Sequence, residues 1–228
     1  MNKRYRTYVG ADLHKTFTYF TAQDRAGKEK ACVRLENRGE YFRDFLSTLE
    51  QPVKVVVEST SNWAWFCEEV KAGGFDVVVA HAAETSAKSG TKEKSDARDA
   101  QLLATLLRGN LIEKECWQAP DEIRRLRERM RYMQFLIRHR TAMKNRVHSV
   151  LIRLNIRSPY KDAFCKRGRV FLRNLDLAPE YKATITRSMD MMEEIEMMID
   201  EDLRFCREQV EKDERVRCLA TIPGINAQ

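Results

Sequence analysis

Residues 53–58 read Val-Lys-Val-Val-Val-Glu, a run that is apolar on both faces apart from Lys54. Such a strand needs cover on both sides, so it belongs in the middle of a sheet with helices above and below. The next segment, 62–72, carries Trp63, Phe66 and Val70 on one helical face and stops at Gly73-Gly74. Phe75-Asp76-Val77-Val78-Val79-Ala80 is then a second buried strand. Strand, helix, strand at this length is a βαβ unit, whose crossover is right-handed and whose strands are parallel.

Ahead of that unit, residues 5–12, 17–22 and 32–35 are alternating or β-branched runs, with the turn-like Asp24-Arg25-Ala26-Gly27 between the last two. They are close enough to form a meander. Tyr41, Phe42, Phe45, Leu46 and Leu49 then step at helical spacing. Three meander strands, a helix and a βαβ unit are the order of an RNase H-like fold, so the expected class is α/β with a mixed sheet.

The acids at the ends of these elements give the fold chemical meaning. Asp12 ends the apolar run Tyr8-Val9-Gly10-Ala11, and Glu58 ends the central strand. Asp96 and Asp99 sit three apart where a helical pattern begins, so they point the same way. A carboxylate at the end of a buried strand is costly unless a cation meets it. Each acid alone could be an exposed strand end or a complement to a helix dipole. Together they form one expected site for a pair of Mg²⁺ (or Mn²⁺) ions, which prefer oxygen ligands and serve phosphodiester chemistry. His14 and Lys15 follow Asp12 and could face a phosphate backbone, although a turn explains them equally well. Lys88, Lys92, Lys94 and Arg98 cluster around the second acidic pair, where they could hold a nucleic-acid strand. Trp63 and Trp65 read as core or as base-stacking platforms.

The second half of the chain changes character. Residues 121–173 hold 16 Lys/Arg against 4 Asp/Glu, and residues 174–214 hold 5 against 13. A concentrated basic block is a footprint of nucleic-acid binding; the plainer alternative is a pair of antiparallel helices that neutralise each other. From Pro120, the positions Ile123, Leu126, Met130, Met133, Ile137, Arg140, Lys144, Val147, Leu151 and Leu154 step by three and four, a heptad seam with two basic interruptions. Pro159 and Gly168 fall in the break that follows. A second long helix is expected over 179–213, with Ile185, Met192, Ile195, Ile199, Cys206 and Val210 on one stripe. The pair would form a hairpin or part of a dimeric coiled coil. The methionines at 189, 191, 192, 197 and 198 read as adaptable packing.

The six cysteines are scattered without a CxxC pair, which fits reduced thiols in the cytoplasm better than zinc or a disulfide framework. No run approaches the roughly 20 apolar residues that a membrane span needs.

Three motifs together resemble a known family: Val9-Gly10-Ala11-Asp12-Leu13-His14-Lys15, Val57-Glu58-Ser59-Thr60-Ser61-Asn62-Trp63 and Lys94-Ser95-Asp96-Ala97-Arg98-Asp99-Ala100. They look like the DEDD insertion-sequence transposases, the IS one-ten and IS eleven-eleven group. The segment 117–157, with Arg124-Arg125-Leu126-Arg127 and Arg140-Thr141-Ala142-Met143-Lys144-Asn145-Arg146, is similar to that family's coiled-coil region. Leu219-Ala220-Thr221-Ile222-Pro223-Gly224-Ile225 resembles the opening of its C-terminal domain.

The resemblance implies a Holliday-junction-resolvase-like domain over 1–116, a helical coiled-coil hairpin over 117–214 and the start of a further domain over 215–228. It also implies a metal site of Asp12, Glu58, Asp96 and Asp99, action on DNA in transposition or recombination, a structured guide RNA in some members, and homo-oligomers through the coiled coil. Arg124, Arg125, Arg127, Arg140, Lys144 and Arg146, with Lys92, Lys94 and Arg98, are the expected nucleic-acid contacts. The family also uses a nucleophilic serine in its C-terminal domain. This sequence stops at Gln228, before any counterpart, so the expectation is a truncated or split product incomplete for strand exchange. Two rivals are a free-standing metal-dependent resolvase or nuclease, and a non-catalytic module that inhibits full-length transposase.

Overall fold

The computed structural model describes residues 5–83 and 95–224. Lys88, Lys92 and Lys94 lie outside the described residues, as does the end of the chain from residue 225. The chain divides into two compact units, residues 1–119 and 120–228.

The first unit is a five-stranded mixed sheet with the order β3-β2-β1-β4-β5. Its strands are β1 (Thr7–Leu13), β2 (Phe17–Asp24), β3 (Glu29–Glu36), β4 (Val53–Glu58) and β5 (Asp76–Ala80). β1, β2 and β3 pair antiparallel, while β4 runs parallel to both β1 and β5. The helices are α1 (Gly39–Thr48), α2 (Trp63–Ala72) and α3 (Asp96–Arg108). This is the RNase H-like α/β fold.

Strand alternation sorts the side chains onto two faces. Val9, Ala11, Val55, Val57, Val77 and Val79 turn to one core, where Phe20, Phe42 and Phe66 pack with centroids 5.1–5.9 Å apart. Trp63 and Trp65 pack against this core, Trp65 at 5.7 Å from Phe42. The opposite face carries Val56, Val78 and Ala80 and is covered by Leu103 and Leu107 of α3. Asp12 and Glu58 belong by alternation to this second face.

α3 is held against the sheet by a backbone fit and a buried polar bond. A Cβ on Gly10 would stand 2.5 Å from the Ala104 amide nitrogen and closer still to the Ala100 carbonyl oxygen, so only glycine lets the helix seat there. Gln23, almost fully buried, donates from Nε2 to Thr105 Oγ1 at 3.0 Å.

The second unit contains α4 (Asp121–Arg153), α5 (Lys166–Arg173), α6 (Pro179–Lys212) and α7 (Glu214–Ala220). The two long helices, α4 and α6, pack along each other. The buried stripe of α4 is Met133, Leu136, Val147, Val150 and Leu151, and that of α6 includes Ile185, Met189, Met192 and Ile199.

The break expected around Gly168 is instead a helix, α5. Gly168 sits where a Cβ would collide with the Ala163 backbone, and its N–H donates to Cys165 Sγ at 3.4 Å. The glycine is there for close approach and does not end the helix. Among the described residues no helix is long and apolar enough to cross a membrane.

Candidate functional site

β1 and β4 are in parallel register, with Ala11 beside Val57. The next residues, Asp12 and Glu58, therefore lie side by side at the strand ends, on the face that α3 covers. α3 begins with Asp96 and Asp99 in its first turn, after Ser95, whose carbonyl accepts from the Arg98 and Asp99 amides. Because Gly10 admits the helix at Ala100 and Ala104, the turn before those residues comes down beside Asp12.

The geometry that results is tight. His14 Nε2 lies 2.9 Å from Asp12 Oδ2 and 3.6 Å from Asp96 Oδ2. One ligand atom from each of Asp12, His14 and Asp96 falls within 4.8 Å of the others. Glu58 and Asp99 stand outside this group. Burial pushes the Asp12 carboxyl above the usual carboxylate range; His14 opposes that rise, while the charges of Asp99 and Asp96 add to it. Two carboxylates and an imidazole around one point, with further negative charge behind them, make a donor set that a divalent cation fits and would relieve.

His14 is the residue whose part in this group the sequence left open. Its ring stacks on Phe17 at 4.5 Å, and Phe17 in turn carries the Arg34 guanidinium 3.9 Å from its centroid. Its backbone is anchored as well. The His14 N–H donates to Phe17 O at 2.9 Å, and its carbonyl accepts from Asn37 Nδ2 at 2.8 Å and Asn62 Nδ2 at 3.1 Å. The spacing of Asp12 and His14, two apart at a strand end, is the only signal the sequence offers.

Of the expected nucleic-acid contacts near this site, Arg98 is exposed in the first turn of α3, between the two acids. The others among the described residues fall on α4. Arg124 and Arg125 reach Asp121 on their own helix, both at 3.2 Å. Arg127 and Arg146 are exposed; Arg140 and Lys144 are half-buried, with Lys144 Nζ 5.2 Å from the centre of the Phe164 ring. The acids of α6 are met by Arg169 and Arg173 of α5 and by Arg129 of α4. Arg169 binds Glu196 at 2.8 Å, Arg173 binds Glu193 and Asp190 at 2.9 Å, and Arg129 binds Asp202 at 2.7 Å.

The IS110-type DEDD transposase family matches residues 9–156, well over half of the chain. The chain belongs to that family. The match spans all four acids and α4 to its end. Comparison with curated proteins returns no match. Membership in the IS110-type transposases implies DNA as a partner and the use of a divalent metal.

Proposed function

We propose that this transposase chain binds DNA and cuts its strands with divalent metal held by Asp12, Glu58, Asp96 and Asp99. The observation that carries the reading is the convergence of Asp12, His14 and Asp96 beneath the first turn of α3. Asp12 and Asp96 would bind the ion directly. Glu58, beside Asp12 by register, and Asp99, which Asp12 senses electrostatically, would complete the negative field. When bound, divalent metal lowers the pKa of attacking water and neutralises charge on the leaving oxygen. His14 fixes the Asp12 carboxylate in position and offers a nitrogen donor. Arg98 and the basic face of α4 would hold the phosphate backbone, of DNA and of any structured guide RNA. Oligomers would form through α6, where Met191 and Met198 are exposed one heptad apart.

The test is thermal unfolding of the whole chain with and without Mg²⁺ or Mn²⁺. The ion should raise Tm, and Asp12→Asn or Asp96→Asn should remove most of that gain. A Tm indifferent to either ion would defeat the shared site.

A further inference from the structure

One face of α4 carries an aromatic ladder that the metal site does not use. Tyr132 and Phe135 are 50% and 46% exposed, large fractions for rings of this size. Their centroids lie 6.0 Å apart with planes only 16° from parallel, and the His139 ring follows at 3.9 Å from Phe135. His139 is held there by a 2.8 Å hydrogen bond between Nδ1 and the Phe135 carbonyl. The three positions step by three and four along one line of the helix, and Arg146 and Arg153 continue that line. Arg131 and Arg138 are the i−4 and i+3 neighbours of Phe135, and both are exposed. The nearest acid along α4, Glu128, lies 3.9 Å from Arg131.

We propose that this ladder is a stacking platform for unpaired bases, with the flanking arginines tracking the phosphates of a single strand. The inference rests on the nucleic-acid reading above and names the strand form that α4 takes. Half-exposed aromatic rings beside regularly spaced cations are the arrangement that binds single strands without reading sequence. The ring contacts already order the side chains, so little rotamer freedom is lost on binding. Charge selects the occupant. Residues 129–153 hold no Asp or Glu, so the same face of a second copy would meet its own cations, whereas a polyanion is attracted.

The experiment uses the whole chain in EDTA, so that metal plays no part. Fluorescence anisotropy measures binding to a labelled single-stranded DNA of about 20 nucleotides and to the same sequence as a duplex. The double variant Tyr132→Leu/Phe135→Leu keeps apolar area and helix propensity but removes both π-faces. It should bind the single strand about tenfold or more weakly, with duplex binding changed less than about twofold, while Phe135→Tyr keeps single-strand affinity. Unchanged single-strand affinity in the leucine variant, or equal losses on both forms, overturns the platform and leaves the DNA-binding reading standing. A wild-type dimer that the leucine variant dissociates, with single-strand affinity kept, assigns the face to a second copy and overturns it too. Failure of the wild-type chain to bind either form overturns both readings.

Discussion

Gly10 of β1 lies directly beneath Ala100 of α3, with no room between them for a methyl group. The carboxylates of Asp96 and Asp99 belong to the turn just before that contact, so the depth at which α3 seats sets their distance from Asp12. Gly10→Ala is expected to lift the helix and cost about 1–3 kcal/mol, the usual range for overpacking against a rigid neighbour. Urea unfolding would show the loss, and the Mn²⁺-induced rise in Tm should shrink with it. An alanine variant with wild-type stability and metal response would contradict the fit.

His14 sets a second expectation. Imidazole suits transition ions and adds little for Mg²⁺, which prefers oxygen. His14→Gln should therefore weaken Mn²⁺ binding more than Mg²⁺ binding in titration calorimetry. Equal losses for the two ions would mean that His14 only steadies Asp12.

The aromatic core is also open to test. Phe66 is fully buried between Phe20 and Phe42. Phe66→Ala should cost about 3–5 kcal/mol, the range for deleting a buried aromatic ring. A loss under about 1 kcal/mol would show that the neighbours collapse into the space.

Alkaline pH probes the first unit at its edge. Burial and then the Tyr5 hydroxyl's hydrogen bond to Asp76 Oδ2, at 3.0 Å, push the Tyr5 phenol up to about 12 from its ordinary 10.0. The folded state thus keeps a proton that the unfolded chain gives up first. This contribution is whole below pH 10 and drains away as pH rises through 12. Tyr5→Phe should flatten the fall in Tm over that window; an unchanged slope would count against the bond.

Salt dependence reports on α4. Each neutralised phosphate of a single strand contributes a slope of about −0.7 in log affinity against log salt. Replacing Arg138 and Arg146 by glutamine should remove about two such contacts from the slope. A slope unchanged by both replacements would place the DNA elsewhere.

The sheet was legible because its pattern obeys two simple costs. A strand covered on both faces must be largely apolar, as β4 is between Lys54 and Glu58, and a meander needs polar turns, as between β2 and β3. Asp12 and Glu58 stood out because each ends a buried strand, where charge is costly, and Asp96 and Asp99 because their spacing puts them on one helix face. His14 did not, since a turn residue two places from an acid looks the same whether or not a distant helix meets it. The burial of Gln23 was equally hidden, because its partner Thr105 is 82 residues away. On α4 the three-four stepping from Ile123 found Met133, Val147 and Leu151, but Leu136 and Val150 are buried while Ile137 is only partly so. A helix at 3.6 residues per turn drifts from a strict heptad, and the contact stripe drifts with it.

The Gln23–Thr105 bond bears on the order in which the polypeptide can become competent. The three meander strands emerge from the ribosome long before α3, and until that helix arrives Gln23 has no buried acceptor and Asp12 no acidic companions from it. Contacts of such long range form late and slowly. A nascent chain ending before α3 would thus expose a strand face to water, with Asp96 not yet beside Asp12 and His14. The acidic cluster is in this way left unassembled in the newborn protein until α3 has been synthesised.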